Sequence, residues 1–208
     1  MPSITIHRTA HYEILLPDGK PKGIWMCLHG YGQLAERFVR RLKPLQDAGY
    51  IVIAPEGLNR FYWQGYSGKV AATWMTKHDR FNEITDYVGY LDLLFDKINN
   101  DYPGLGWHTL GFSQGVATLA RWIAMGKITP KSINLWAGHF PEDLDMGKYG
   151  RKFKGIPQTW LAGDEDQFLN DKIIQEHQDF LRSIGLKPKL IRFKGGHDIH
   201  PETLREVI

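Results

Sequence analysis

The chain has 208 residues, a formal net charge of +3 and an apolar fraction of 42%. This length suits one domain over residues 1–208 with a single buried core, and the composition is that of an ordinary folded protein, which argues against extended disorder. The 26 basic residues are scattered. The short basic run at 151–154 is most simply a solvated loop, so nucleic-acid binding is not favoured.

The N-terminus carries no recognisable targeting segment. Residues 1–8 lack a continuous apolar stretch, so no signal peptide is expected, and no apolar run is long enough to insert stably in a bilayer. The single cysteine, Cys27, lies in an apolar strand pattern, which favours a small core residue over a catalytic thiol. One cysteine excludes an intramolecular disulfide and suits a reducing compartment. We therefore expect a cytoplasmic protein.

The first quarter of the chain alternates short apolar runs with turns and one amphipathic segment. The run at 23–28 is almost continuously apolar, as expected for a central strand covered on both faces. It ends in a glycine-bearing loop at 29–33. In chain order we predict strands at 4–6 and 12–16 as an antiparallel pair, a strand at 23–28, a helix at 35–46 and a strand at 50–55.

Residues 56–77 are rich in aromatic residues and glycine and show no clear period. We interpret them as a long excursion over one end of the sheet, where functional loops tend to lie. Core packing is the alternative for their aromatic side chains. Their density near the expected mouth of a site favours an acyl or aryl pocket, with Trp63, Tyr66 and Trp74 as candidate substrate-binding residues.

The rest of the chain repeats strand and helix without an internal repeat or linker. The predicted elements are a helix at 79–99, a strand at 107–112, a helix from 114, a strand at 132–137, a charged connection at 140–155, a strand at 159–162, a helix at 169–184, a strand at 189–193 and a short helix from 201. This alternation predicts an α/β fold, with a mostly parallel central sheet and helices on both faces.

The segment Gly111-Phe112-Ser113-Gln114-Gly115 has the Gly-x-Ser-x-Gly pattern of a nucleophile elbow. The pattern alone is weak, but here an apolar run precedes it and a helix of small and aliphatic residues follows, which is the context the motif requires. The two glycines leave no Cβ to collide in the tight turn. The helix amides point to the place where negative charge would develop. Ser113 is therefore the candidate nucleophile.

Two later strands end in groups that complete a triad. Asp166 follows one strand and His197 follows the last, and the carboxyl ends of parallel strands meet at one edge of a sheet. A serine needs an imidazole to remove its proton, and the imidazole needs a carboxylate to fix its tautomer. Asp164 competes for the acid but can cap its own loop, and His200 competes for the base but precedes a proline at a helix start. The order Ser, Asp, His is that of α/β hydrolases.

A developing oxyanion needs backbone donors. The residue after the nucleophile, Gln114, supplies one amide, and the loop after the earlier strand supplies the other, which we assign to Tyr31. His29 in that loop is interpreted as a bracing residue rather than a proton carrier. His139, which follows another strand, is interpreted as pocket-lining or structural.

Four short motifs occur in order along the chain: His29-Gly30-Tyr31-Gly32, Gly111-Phe112-Ser113-Gln114-Gly115, Gly163-Asp164-Glu165-Asp166 and Gly195-Gly196-His197. Together they resemble the phospholipase/carboxylesterase family of α/β hydrolases, which includes acyl-protein thioesterases and small bacterial carboxylesterases. The resemblance covers nearly the whole chain and implies an α/β-hydrolase fold, serine-hydrolase activity on acyl esters or thioesters, and no cofactor. Gln33 stands where many members carry Asp, and Gln167-Phe168 replaces a common Pro-Val, which weakens any transfer of substrate preference.

We therefore expect a serine esterase that hydrolyses a small-molecule ester or thioester through an acyl-enzyme, with no cofactor, no metal and no nucleic-acid partner. An acyl thioesterase, a peptidase, or a ligand-binding protein of low turnover on the same scaffold are the alternatives. The sequence leaves the acyl and alcohol preference and the oligomeric state open.

Overall fold

The computed structural model describes residues 2–208. The strands in this part of the chain are β1 (Tyr12–Leu15), β2 (Ile24–Leu28), β3 (Ile51–Pro55), β4 (Asn59–Gln64), β5 (Ser67–Thr73), β6 (Trp107–Phe112), β7 (Ser132–Trp136), β8 (Gln158–Gly163) and β9 (Lys189–Phe193). The α-helices are α1 (Ala35–Val39), α2 (Lys43–Asp47), α3 (Arg80–Asp101), α4 (Gln114–Met125), α5 (Met146–Tyr149), α6 (Asp171–Ser183) and α7 (Pro201–Arg205).

Seven strands form the central sheet, in the order β1-β3-β2-β6-β7-β8-β9. Only the edge strand β1 runs antiparallel to its neighbour, and the other pairs are parallel. All residues of β2 and β3 are buried, which is why their sequences read as unbroken apolar runs rather than alternating ones. The mostly parallel sheet predicted from the sequence is confirmed.

The strand order reverses direction next to β2. The chain moves from β2 outward to β3 and then returns past β2 to β6. Because parallel crossovers are right-handed, the helices before and after this reversal lie on opposite faces of the sheet. The carboxyl ends of β2 and β6 flank the resulting crevice, where ligands bind in open α/β sheets. The loop at 29–33 follows β2 and Ser113 follows β6, so both lie at this crevice.

Two local predictions were wrong. Residues 4–6 form no strand, and β1 pairs instead with β3, with Tyr12 opposite Pro55. The helix expected at 35–46 is split into α1, a 3₁₀ turn at Arg40–Leu42 and α2. Pro44 has no N–H to donate to the carbonyl four residues earlier, so the α-helical ladder cannot continue through it.

The excursion at 56–77 contains a β-hairpin that the sequence did not predict. β4 and β5 pair antiparallel, with Asn59 opposite Thr73, and form a separate two-stranded sheet. Gly65, at the turn, has a φ of 80°, a conformation that favours glycine. Aromatic side chains stand on successive positions of β4, so the alternation that marks a half-buried strand is missing.

No helix within residues 2–208 combines the length and the apolar character needed to cross a membrane.

Candidate active site

Ser113 lies in a strained turn between β6 and α4. Its φ of 53° and ψ of −116° fall in a region that residues with a side chain seldom adopt, at a cost of about 1–3 kcal/mol that the surrounding structure must offset. A Cβ on Gly111 would lie 2.5 Å from the Gly115 oxygen, and a Cβ on Gly115 would lie 2.2 Å from the Leu28 oxygen. Only glycine fits at these two positions, and the close packing they allow holds the serine in its turn.

His197 bridges Ser113 and Asp166. Its Nε2 lies 3.0 Å from Ser113 Oγ, and its Nδ1 lies 2.8 Å from Asp166 Oδ2. The Asp166 side chain is fully buried, and its Oδ1 accepts a hydrogen bond from the Phe168 amide at 2.8 Å. With the carboxylate accepting at Oδ2, the proton of a neutral His197 sits on Nδ1, and Nε2 is free to accept the serine proton. This arrangement can deprotonate the Ser113 hydroxyl.

The two alternative residues are engaged elsewhere. Asp164 Oδ1 accepts from the Gly195 amide at 3.0 Å, which ties the loop after β8 to the loop after β9. His200 stands at the N-cap of α7, with its Nδ1 3.1 Å from Thr203 Oγ1. The geometry thus brings Asp166 and His197, rather than Asp164 and His200, to Ser113.

Two phenylalanine rings flank the imidazole of His197. The ring centroid of Phe112 lies 5.0 Å from that of His197, and Phe168 packs edge-on at 4.8 Å. Phe168 is 55% exposed, so its ring faces both the imidazole and the solvent. The sequence motifs did not predict this contact. The available signal was the unusual pair Gln167-Phe168 after the acid.

The two candidate oxyanion donors lie beside the nucleophile. Gln114 is the first residue of α4, so its N–H has no partner within the helix. A Cβ on Gly30 would lie 3.1 Å from Ser113 Cβ, which sets the loop carrying Tyr31 directly against the elbow. Within residues 2–208 neither the Tyr31 nor the Gln114 amide donates to a protein acceptor. Both amides are therefore free to bind an oxyanion.

His29 is fully buried below this loop. Its Nε2 accepts a hydrogen bond from the Gly57 amide at 2.9 Å, so the neutral ring carries its proton on Nδ1, which lies 2.7 Å from the Gly30 oxygen. Burial lowers the pKa of His29 to about 4, because it disfavours the charged ring. A neutral imidazole bonded to backbone at both nitrogens braces the loop, and it is not placed to carry protons in the reaction.

A family model described as "Serine hydrolase (FSH1)" matches residues 20–206. The chain belongs to this serine hydrolase family. No curated protein matches the chain in sequence. The membership accords with the resemblance to α/β hydrolases of the carboxylesterase type.

Solved structures with the same fold include an acyl-protein thioesterase and an esterase. The crystal structure of acyl-protein thioesterase 2 from Zea mays is 18% identical and has a TM-score of 0.73, with 96% of each chain covered. SOBER1 from Arabidopsis thaliana is 16% identical with a TM-score of 0.70, covering 89% of this chain and 95% of SOBER1. Esterase PE8 is 18% identical with a TM-score of 0.67, and 96% of each chain is covered. The predicted α/β-hydrolase fold is confirmed.

In this serine hydrolase, Trp63 packs against the loop that carries Tyr31. It is 57% exposed, and its ring lies 6.1 Å from that of Phe61 and 5.9 Å from that of Tyr31. A Cβ on Gly32 would lie 2.3 Å from the Trp63 ring, so the hairpin rests on the loop that carries Tyr31. We name the three side chains Tyr31, Phe61 and Trp63 the aromatic platform.

The other two predicted substrate-binding residues lie in different surroundings. Tyr66 is 94% exposed at the hairpin turn. The prediction that Trp74 binds substrate is wrong, because this residue is only 1% exposed and belongs to the core. Its indole N–H donates to the His29 oxygen at 2.8 Å. A side chain without accessible surface cannot contact a substrate, so Trp74 packs the support of the site instead.

A histidine pair braces the loop after β7. The His139 ring is exposed, and its centroid lies 4.9 Å from that of His177. His177 accepts from the Phe140 amide at 3.0 Å, and burial lowers its pKa to about 4. His139 contacts His177, which supports the structural role predicted for His139 over the pocket-lining one.

A cavity of about 590 Å³ lies between the segment 146–158 and the turn at 184–187, at the edge where β8 begins and opposite the candidate triad. Within residues 2–208 no group of three or more His, Cys, Asp or Glu side chains is arranged to hold a metal ion.

Proposed function

We propose that this serine hydrolase cleaves carboxylic esters through a covalent acyl-enzyme on Ser113. The observation that carries the proposal is the 3.0 Å distance from Ser113 Oγ to His197 Nε2, with Asp166 Oδ2 2.8 Å from the other ring nitrogen. Membership of the serine hydrolase family over residues 20–206 supports it.

In acylation, Ser113 Oγ attacks the ester carbonyl carbon while its proton passes to His197 Nε2. Asp166 stabilises the resulting imidazolium through Nδ1–H. The carbonyl oxygen becomes an oxyanion that accepts hydrogen bonds from the Tyr31 and Gln114 amides. Each such donor is worth about 10²–10³ in rate. The intermediate collapses when the bond to the alcohol oxygen breaks and that oxygen takes the proton from Nε2.

In deacylation, water takes the place of the alcohol. His197 removes a proton from the water as its oxygen attacks the acyl carbon, and the same two amides bind the second oxyanion. The bond to Ser113 Oγ then breaks, the serine oxygen recovers its proton from Nε2, and the carboxylic acid leaves. The cycle needs water and the ester, with no redox step.

Apolar side chains pack on two parts of the proposed machinery. The aromatic platform lies on the loop that carries Tyr31, with the Trp63 ring against Gly32, and Phe168 packs on the imidazole that protonates the departing alcohol. Planar rings bind apolar and aromatic groups with little loss of side-chain freedom. We therefore assign small esters with apolar or aryl acyl and alcohol groups as the substrate class, with Trp63 and Phe168 as contact residues.

The proposed setting is the cytoplasm. Cys27 is a buried free thiol, and burial raises its pKa well above the ordinary value. Such a thiol is held in its unreactive form, and a lone cysteine suits a reducing compartment.

The test is Ser113→Ala, assayed with p-nitrophenyl acetate and butyrate. We expect kcat to fall by about 10⁶, as for triad members that act as a unit. Ser183→Ala is the matched control, because its hydroxyl donates to the Phe180 carbonyl oxygen on the exposed face of α6, and it should retain full activity. Undiminished turnover by the Ser113→Ala protein would refute the proposed nucleophile.

A fluorophosphonate probe separates an enzyme from a ligand-binding protein on the same scaffold. Rapid labelling of the wild-type protein, lost in Ser113→Ala, supports an enzyme, and an inert wild-type serine supports a binding protein. A matched panel of oxygen esters, thioesters and amides then separates an esterase from a thioesterase or a peptidase. The proposal expects the highest kcat/KM on oxygen esters, and a clear preference for thioesters or amides would overturn it.

A further inference from the structure

Residues 72–75, at the end of β5 and just after it, run between the loop that carries Tyr31 and the start of α4, which carries Gln114. We name this segment the strap. The Ala72 oxygen accepts from the Gly32 amide at 2.8 Å, and the Trp74 indole donates to the His29 oxygen at 2.8 Å. Both bonds hold the loop on either side of Tyr31.

The same segment holds the other donor through a side chain. Gln114 Oε1 accepts from the Trp74 amide at 3.2 Å, and Gln114 Nε2 donates to the Met75 oxygen at 2.9 Å. The hydroxyl of Thr73 lies 3.0 Å from Oε1 and 2.9 Å from Nε2. Both ends of the Gln114 side-chain amide are thus bonded to the strap, while its backbone N–H has no protein acceptor among residues 2–208.

Within the loop, further bonds leave the Tyr31 amide as the free donor. Gln33 Oε1 accepts a hydrogen bond from the Gly30 amide at 2.9 Å. Gln33, which stands where many members of the family carry Asp, thus braces the loop. The Gly30 oxygen lies 2.7 Å from His29 Nδ1. Because Gly30 C=O and Tyr31 N–H belong to one planar trans peptide, a carbonyl directed at His29 directs the Tyr31 N–H the opposite way.

We propose that the strap sets the spacing and direction of the two oxyanion donors, and that the side chain of Gln114 is the positioning group that couples them. This inference rests on the proposed function, because the donors matter only if a carbonyl is attacked at Ser113. Donors must lie about 2.7–3.1 Å from the oxyanion to be effective, and a displacement of about 1 Å can cost 10²-fold in rate. A strap bonded both to the loop of Tyr31 and to the Gln114 side chain at the start of α4 fixes that distance without touching the substrate.

The test variant is Gln114→Met, which removes every side-chain bond to the strap and keeps the backbone N–H and a similar length. We expect kcat on p-nitrophenyl acetate to fall by about 10- to 100-fold, with KM within about threefold of wild type. A trifluoromethyl ketone, which forms a tetrahedral adduct with the serine, should lose affinity by a factor similar to that in kcat. Gln158→Met is the matched control, because its amide donates to the Phe153 oxygen at the far edge of the sheet, and it should keep wild-type kcat.

A purely structural tether would give a different result. If Gln114→Met lowers the melting temperature but keeps kcat and ketone affinity within twofold of wild type, the strap has no part in positioning and the inference is overturned. Thr73→Val and Thr73→Ser provide a second pair should Gln114→Met fail to fold. Valine removes the hydroxyl and should lower kcat, and serine keeps the hydroxyl and should restore it. Equal kcat in these two variants would also overturn the inference.

Failure of the inference is distinguishable from failure of the proposed function. A wild-type protein that neither reacts with fluorophosphonate nor loses turnover in Ser113→Ala contradicts the function itself. A wild-type protein that is labelled and active, alongside a Gln114→Met protein of unchanged kcat, contradicts the strap alone.

Discussion

Replacement of Asp166 by asparagine tests the assignment of the acid and the tautomer of His197. The carboxylate has two different neighbours: Oδ1 accepts from the Phe168 amide, and Oδ2 lies 2.8 Å from His197 Nδ1. The Phe168 N–H can only donate, so the asparagine oxygen must face it to keep that buried bond. The asparagine NH₂ then faces Nδ1, which has to become an acceptor. The ring proton moves to Nε2, which can no longer accept from Ser113.

The magnitude follows from these contacts. The opposite amide orientation would set two donors against each other in a buried site, at a cost of about 1–3 kcal/mol. The productive tautomer is therefore reduced by about 5- to 150-fold. Loss of the carboxylate that stabilises the imidazolium accounts for the rest. The total loss we expect is about 10⁴, as for the same substitution in a serine protease, or about 5 kcal/mol of transition-state stabilisation.

The assay is kcat/KM on p-nitrophenyl acetate for Asp166→Asn and for Asp164→Asn. Asp164 accepts one amide hydrogen bond from the neighbouring loop, so its variant should lose less than tenfold. A circular dichroism melt checks that both variants fold. The reasoning is refuted if folded Asp166→Asn keeps a tenth or more of wild-type kcat/KM, or if Asp164→Asn is the more damaging change.

Three further predictions concern the aromatic residues and the buried histidine. Trp74→Ala should lower the free energy of unfolding by about 3–5 kcal/mol, because it empties a core site. Trp63→Ala and Phe168→Ala, at exposed positions, should cost about 1 kcal/mol or less and raise KM for aryl esters, so unchanged KM in both would contradict the substrate assignment. Burial lowers the pKa of His29 to about 4, below its value in the unfolded chain. The free energy of unfolding is therefore highest above pH 6.5, where the ring is neutral in both states, and it falls by about 3 kcal/mol in all as the pH drops toward 4. Urea unfolding at pH 7.5 and 4.5 should show a shallower loss in His29→Gln than in wild type, and equal losses would count against this explanation.

The alternation of apolar and amphipathic segments was sufficient to predict the central sheet. β2 and β3 are buried on both faces and carry no polar residue, so a local pattern alone identifies them. The long helix α3 buries residues at three- and four-residue spacing, which a single sequence reveals equally well. The sequence predicts these elements because the pattern of buried residues is the same along the whole length of each one.

The hairpin β4–β5 and the partner of β1 were missed for different reasons. β1 depends on a neighbour about forty residues away, Pro55 opposite Tyr12, and local sequence does not record which neighbour a strand meets. The hairpin carries aromatic residues on both faces because one face supports the loop at 29–33 and the other is exposed. Its pattern therefore resembles a loop rather than a half-buried strand.

The chain order of Ser113, Asp166 and His197, and the glycines that let each loop turn sharply, can be read from local sequence, because steric limits on backbone turns act over a few residues. Whether Asp164 or Asp166 faces the imidazole, whether Trp74 lies in the core or at the mouth, and which segment joins Gln114 to the loop of Tyr31 cannot. Those outcomes depend on contacts between residues 31 to 84 positions apart along the chain, and such contacts exist only once the sheet has assembled and brought the ends of its strands together.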